Sequence, residues 1–281
     1  MTSSLQDIVC CMGQPLGSNP TQYMMEKAFI AANLDWRYLT LEVSPENLPA
    51  AVVGMKAMGF RGGNFASPHQ VAVVDYVDRL TESAELIGAV NCVHIADDNY
   101  VGENTDGKGF LQALQEISDP ADKKVVILGA GGTARAIGVE LALAGVREIV
   151  VANRSTDRGQ ALVDLLQSRV KVAASLVEWK NDFVVDEETD LLVQATAIGL
   201  RDARAAVPVD TELLSDRLIV ADVIHNPPRT KFLREAAKRG CTVLDGVAML
   251  VNQAARDFSI WTGIEPDKSI MRESVEEFFE L

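Results

Sequence analysis

The sequence predicts an α/β fold in two domains, each built from a mostly parallel sheet layered with helices. Short apolar runs of strand length alternate with stretches of helical period along almost the whole chain. The 281 residues are enough for one large domain or two modest ones, each with a real core. Near the middle, the strand-like run Lys124 to Leu128 passes at once through a glycine cluster into a helix.

In chain order, Asp7 to Met12 reads as a buried strand. Gly13 to Pro20 is a loop by its Gly, Pro, Ser and Asn content. A helix over Thr21 to Asn33 follows, then a strand from Trp36 to Val43 and a helix from Asn47 to Met58 ended by Gly59. Gly62 to Ala66 is a short strand, and Val71 to Tyr76 and Glu82 to Ile87 are helical pieces. Val90 to Ile95 pairs with Tyr100 across a turn at Asp97-Asp98-Asn99. Lys108 to Ile117 is a helix broken at Asp119-Pro120. After the glycine cluster the helix runs to about Ala144, followed by a strand over Glu148 to Ala152 and a helix over Asp157 to Ser168. Leu191 to Gln194 and Leu218 to Val223 are further strands, and Met249 to Trp261 is an amphipathic helix.

The 26 basic residues fall short of the 40 acidic ones by 14, so the surface repels phosphate backbones and anionic lipid. Nucleic acid and membrane are therefore not expected partners, and an anionic ligand has to be held by local donors. No apolar run reaches the roughly 20 residues of a membrane helix, and Met1 to Asp7 lacks the pattern of a signal peptide, so the expected compartment is the cytoplasm. Cys10, Cys11, Cys92 and Cys241 form neither a CxxC pair nor a zinc spacing, so they read as small buried thiols and no metal is expected.

Gly129-Ala130-Gly131-Gly132-Thr133-Ala134 fits G-x-G-x-x-A, and it stands between a strand and a helix. Gly129 permits the tight turn, Gly131 lets the backbone approach a pyrophosphate, and Ala134 lets the helix pack close to the sheet. The helix start then offers free N–H groups to phosphate. A glycine-rich turn that binds nothing would have no need for three small residues at this spacing. An NAD site usually places Asp or Glu about 20 residues on. Here the second strand runs instead into Asn153-Arg154-Ser155-Thr156-Asp157-Arg158. Arg154 and Arg158 can grip a 2′-phosphate, which predicts NADP as cofactor. The other reading makes both arginines solvated residues of a helix start.

Further blocks stand in a fixed order along the chain: Ile87-Gly88-Ala89-Val90-Asn91, Gly102-Glu103-Asn104-Thr105-Asp106-Gly107, the glycine motif with Arg135, Asn153-Arg154-Ser155, Gly246 to Gln253, and Trp261-Thr262-Gly263. Through them the chain resembles the shikimate dehydrogenase family over nearly its whole length. The resemblance implies an N-terminal α/β substrate domain over residues 1–105 and 247–281, the C-terminal helices returning to it. A Rossmann NADP-binding domain is inserted at 106–246, with a cleft between the two. It implies a small-molecule substrate, a monomer or homodimer, and hydride transfer between NADP(H) and a ring carbonyl, as in shikimate/3-dehydroshikimate or a related hydroxylated acid of the aromatic amino acid (chorismate) pathway. It adds Thr196, Gly246 and Met249 to the cofactor side. Asp106 takes the place of the catalytic aspartate, and Asn91 and Gln253 those of substrate contacts. Read without the resemblance, Asn91 is a turn residue and Asp106 a helix N-cap.

The departures all lie on the substrate side. Where the family writes Asn-Val-Thr-Ile-Pro-His-Lys, this chain has Asn64-Phe65-Ala66-Ser67-Pro68-His69-Gln70, so Gln70 stands at the catalytic lysine position and Ala66 at the threonine. The motif that holds the substrate carboxylate is shortened to Gly17-Ser18-Asn19-Pro20, leaving Ser18 and Asn19 as its candidates, and His225 replaces a tyrosine. Gln70 can donate and accept hydrogen bonds but does not exchange a proton near neutral pH. Losing a positioned acid/base typically costs about 10²–10⁴-fold in rate. The change also removes the cation that the family places by Asp106, so that carboxyl is expected to titrate higher. His225 is the first substitute for the proton and His69 a weaker one; either can equally be an ordinary surface or helix-start histidine. Two functions follow: an NADP-dependent oxidoreductase of altered substrate, or a weakened paralogue that binds NADP(H) or a cyclitol acid as a sensor.

Overall fold

The computed structural model of the chain describes residues 5–17 and 19–280. The chain divides into two compact units, Met1–Thr105 with Gln253–Leu281, and Asp106–Asn252.

The first unit carries the six-stranded sheet β2-β1-β3-β5-β6-β4. β1 (Asp7–Gly13) is buried from Val9 onward, as its unbroken apolar run requires of a central strand. α1 (Thr21–Ala31) leads to β2 (Trp36–Glu42), and α2 (Leu48–Ala57) leads to β3 (Gly62–Phe65). β1 runs parallel to both β2 and β3. α3 (His69–Ala72), β4 (Arg79–Leu80) and α4 (Glu82–Ile87) follow, the last capped by Thr81 and ended by Gly88 in the left-handed region. β5 (Cys92–Ala96) and β6 (Asn99–Glu103) form an antiparallel hairpin with Ile95 opposite Tyr100. Its two turn residues, Asp97 and Asp98, have φ of 51° and 61°, the pair of positive values that a type I′ turn demands. Cys10 and Met12 of β1 pack with Leu48, Val52 and Met55 of α2, joined by Phe65 and Val93.

The second unit begins with α5 (Asp106–Gln115) and β7 (Lys124–Leu128). α6 (Gly132–Leu143), β8 (Glu148–Asn153), α7 (Thr156–Leu165), β9 (Ala173–Glu178), β10 (Leu191–Gln194) and β11 (Ile219–Asp222) follow. α8 (Lys231–Lys238) and β12 (Thr242–Leu244) complete the sheet β12-β11-β10-β7-β8-β9, every pair parallel. Strand order reverses between β7 and β10, the doubly wound arrangement whose switch point lies at the carboxyl ends of those two strands. α9 (Gly246–Thr262) is continuous across the division, so the units part at Gln253, inside a helix and six residues beyond the expected 247. α10 (Lys268–Phe278) then packs on α1, and Phe29 of α1 stacks on Phe258 of α9 at 5.2 Å between ring centroids.

Five elements escape the sequence reading, the first of them the two-residue strand β4. β9 is a sheet-edge strand with one fully buried position, and β12 has three residues, so neither carries an apolar run. α8 and α10 are amphipathic and capped by Thr230 and Asp267, signals that their high polarity overshadows. Among the described residues no helix is long and apolar enough to cross a membrane, and all four cysteines are free and buried.

α5 and α6 pack against each other, and Gly107 lies in that contact. A Cβ there would stand 2.3 Å from the Ala136 carbonyl oxygen of α6, where backbone, not a flexible side chain, has to yield. Gly107→Ala is expected to cost about 1–3 kcal/mol of unfolding free energy in urea titrations; an unchanged midpoint would show that α5 and α6 slide freely.

Candidate functional site

The glycine motif forms a crevice at the switch point of the second sheet. Gly129 leaves β7 at φ +108°, with its would-be Cβ 3.0 Å from the Ala195 carbonyl oxygen and from Thr196 Cγ2, so a side chain would close the turn. At Gly131, which caps α6, and at Gly132, an added Cβ would meet nothing within 4 Å, leaving the helix start open to a ligand. Ala134 is fully buried beneath them. The crevice holds about 270 Å³ and is bordered by Gly129, Ala130, Gly131, Asn153, Arg154 and Thr196, which the sequence reading assigned to the cofactor. Gly132, Thr133 and Arg158 stand in the first turns of α6 and α7 and do not border it. Ser155 caps α7 by accepting from the Arg158 N–H, and Asn153 Nδ2 donates to the Ser155 carbonyl at 2.7 Å. These two therefore set the turn that presents the exposed Arg154.

The sequence reading missed the opposite wall. Trp179 and Pro208 close one side, tied by a hydrogen bond from Trp179 Nε1 to the Pro208 carbonyl at 2.9 Å. Gln194 folds the floor, donating to the Ile198 carbonyl and accepting the Thr196 N–H. A tryptophan just past an edge strand was the available signal. Helix-start N–H groups for a pyrophosphate, a guanidinium at the end of β8, and an apolar wall suit an adenine dinucleotide phosphate.

Gly246 and Met249 do not border this crevice. Gly246 is a packing residue: its Cβ would lie 2.4 Å from the carbonyl carbon of Ile224, so glycine is what seats α9 against the chain leaving β11. Met249 is buried. Beside them Asp222 accepts from Ile224 N, Thr230 Oγ1 and Gln194 Nε2, yet burial outweighs these donors and pushes its carboxyl up to about 6. Burial, with Arg201 as the second cause, pulls His225 below its ordinary value, so its imidazole is neutral at pH 7.

In the first unit, the carboxyl ends of β1, β2 and β3 lie at the same edge as the start of β5 and the end of β6, because Asn64 pairs with Cys92 and Cys92 with Glu103. Asn91, Thr105 and the loop that ends in Gln70 share this edge. Ser18 lies outside the described residues. Asn19 holds the start of α1: its Oδ1 accepts from Thr21 N at 2.9 Å and Thr21 Oγ1 at 2.6 Å. The Leu16 N–H of the same loop donates to Glu42 Oε1 at 2.8 Å, which brings a carboxylate to the segment where a substrate carboxylate was expected to bind. Gln70 is half-buried, its carbonyl accepting from Val90 N at 2.8 Å. His69 is buried with its ring Nε2 bonded to the Val43 carbonyl at 2.7 Å.

Asn91 is 2% exposed, held by the Thr105 N–H on its Oδ1 at 2.7 Å and by Thr105 Oγ1 on its Nδ2 at 3.0 Å. Asp106 stands partly exposed in the first turn of α5, and Gln253 partly exposed on α9. Behind Asn91 lies a carboxylate that the sequence reading did not single out. Asp257 is 1% exposed and accepts from Thr105 Oγ1 at 2.7 Å and Asn64 Nδ2 at 2.8 Å. An acid set beside Ala254, Phe258 and Trp261 on one helix face, four residues after Gln253, was the signal.

Family models match three stretches: the shikimate dehydrogenase substrate binding domain over residues 11–93, shikimate/quinate 5-dehydrogenase over 112–199, and the shikimate 5′-dehydrogenase C-terminal domain over 246–276. The shikimate dehydrogenase (NADP(+)) of Methanopyrus kandleri is 42% identical over 96% of this chain and 94% of its own. Among solved structures, the ligand-free 5-ketofructose reductase of Gluconobacter sp. strain CHM43 is 44% identical, covers 99% of this chain and 100% of its own, and superposes with a TM-score of 0.97. A shikimate dehydrogenase in complex with NADP+ is 34% identical over 99% of this chain and 97% of its own, with a TM-score of 0.90.

In an NMR titration, His225 Cε1–H is expected to show a midpoint below 6.5, the direction set by burial and Arg201. Because the folded value is the lower one, this group favours folding above pH 6.5, and that contribution is lost as pH falls through the folded midpoint. A midpoint above 6.5 would reveal an acidic neighbour and restore the histidine as a general acid.

Proposed function

The chain belongs to the shikimate dehydrogenase family, and on that premise we propose that it reduces a ketone on a small polyhydroxylated substrate, reversibly and with NADP(H), favouring an uncharged ketose over a cyclic acid. NADPH supplies the hydride when bound. On the cofactor side, the open N–H groups at Gly131 and Gly132 receive the pyrophosphate, and Arg154 pairs with the 2′-phosphate.

The observation that carries the substrate preference is the bond from Leu16 N to Glu42 Oε1. A second carboxylate brought within about 4 Å of Glu42 would meet a repulsion between about 1 kcal/mol, the value in bulk water, and about 4 kcal/mol, the value near a protein surface. Gln70 offers an amide where the family has an ammonium, so the position no longer attracts an anion. The net charge of −14 adds repulsion at longer range. The similarity to a 5-ketofructose reductase, whose named substrate is a keto sugar without a carboxylate, supports the same reading. A neutral His225 orients substrate hydroxyls, and the partly exposed Asp106 side chain relays a proton from solvent to the carbonyl oxygen as the alcohol forms.

NADPH oxidation measured with 5-ketofructose and with 3-dehydroshikimate tests this. The expected result is a kcat/KM at least tenfold higher for the ketose. Preference for the acid would overturn the substrate class, and NADPH binding without oxidation of any ketone would favour a sensor. Arg154→Ala should weaken NADPH binding by about 10–100-fold, the loss of one charge-assisted contact, while NADH binding in the same calorimetric assay changes by less than threefold. Gln70→Lys should raise the rate with 3-dehydroshikimate relative to that with the ketose.

A further inference from the structure

We propose that Asp257 is a positioning residue that fixes the direction of every hydrogen bond behind the substrate-binding edge of the first unit, and with it the placement of Asn91 and Gln253. The chain of bonds begins at Tyr38. Its phenol is fully buried and its pKa pushed well up by burial, then by the charges of Cys11 and Asp257, so the hydroxyl keeps its proton and donates to Asn64 Oδ1 at 2.7 Å. That orients the Asn64 amide, whose Nδ2 has to point the other way, to the Asn91 carbonyl at 3.1 Å and to Asp257 Oδ2 at 2.8 Å. The second carboxylate oxygen takes the single proton of the Thr105 hydroxyl. Thr105 Oγ1 is left as the acceptor for Asn91 Nδ2, and the Thr105 N–H meets Asn91 Oδ1. Cys92 adds a third donor; burial and Asp257 hold its thiol protonated. A carboxylate at this depth needs such donors, and each of them loses its direction if the carboxylate is neutralised.

Gln253 and Asp257 lie one turn apart on the same face of α9. Anchoring Asp257 to Thr105 and Asn64 therefore also fixes the rotation of the turn that carries Gln253. Thr105 is followed directly by Asp106, so the same bond sets the point at which the chain enters α5. Asp257 is buried and reaches these residues only through others. Its part is placement, and it rests on the proposed reading only for what Asn91 and Gln253 contact.

The test uses full-length Asp257→Asn, Thr105→Val and Thr105→Ser. Hydrogen exchange at the Thr105 amide, which donates to Asn91 Oδ1, reports the placement without any substrate. Exchange should quicken at least tenfold in Asp257→Asn and Thr105→Val and stay at the wild-type rate in Thr105→Ser, which keeps the hydroxyl. The first two variants should raise KM for the ketone at least tenfold, with kcat changed less than threefold and the NADPH Kd less than twofold. Wild-type exchange in Thr105→Val, or faster exchange with an unchanged KM, overturns the proposal. If Asp257→Asn does not fold, the Thr105 pair decides alone. If the wild-type protein reduces no ketone, the proposed function fails, and the exchange arm still decides this inference.

Discussion

The second unit depends on how closely two strand exits approach each other. Gly129 leaves β7 and Ala195 leaves β10 with their backbones in contact, tied by the bond from Ala195 N to the Leu128 carbonyl at 2.9 Å. Only a glycine fits there, and only because of it does the chain turn sharply enough to start α6 at the switch point. The open N–H groups of α6, the floor folded by Gln194 and the wall of Trp179 against Pro208 all follow from that turn. In a chain with a net charge of −14, this local arrangement is what makes an anion-binding crevice possible, because the overall field opposes it.

The two units use the carboxyl edge of a parallel strand pair in opposite ways. The crevice of the second unit leaves donors open and adds a guanidinium. The edge of the first unit satisfies its donors internally, on Glu42 and Asp257. Asp257 is buried behind this edge, while Glu42 stands exposed at its rim. Glu42, at the end of β2, meets the loop after β1 through the Leu16 N–H. Family membership fixes the reaction type, while these particular side chains bear on which carbonyl compound enters.

Much of the fold was legible. β1, β7 and β10 are central parallel strands buried along nearly their whole length, and β8 buries Ile149, Val151 and Ala152, so their apolar runs stand out against polar flanks. The hairpin of β5 and β6 was legible from its turn, since consecutive aspartates tolerate positive φ. β9, β12, α8 and α10 lie at the margins, where a few buried side chains suffice and the pattern is diluted by polar residues. On the cofactor side the glycine motif and Arg154 were legible because spacing alone brings them together across one βαβ step. Trp179 and Pro208 were not, because their pairing spans 29 residues and needs the folded loop.

The sequence by itself determined the central parallel strands, the glycine turn and the absence of an acid at the end of β8, since each is set by neighbours within a few residues and by the period of strand or helix. Only the tertiary structure decided that His69 is a buried strut on Val43, that Gly246 serves packing, that Glu42 reaches Leu16, and that Asp257 stands behind Asn91. The Asp257–Thr105 contact joins residues 152 positions apart. A carboxylate's role depends on its partners and on its distance from water, and both are properties of the packed chain.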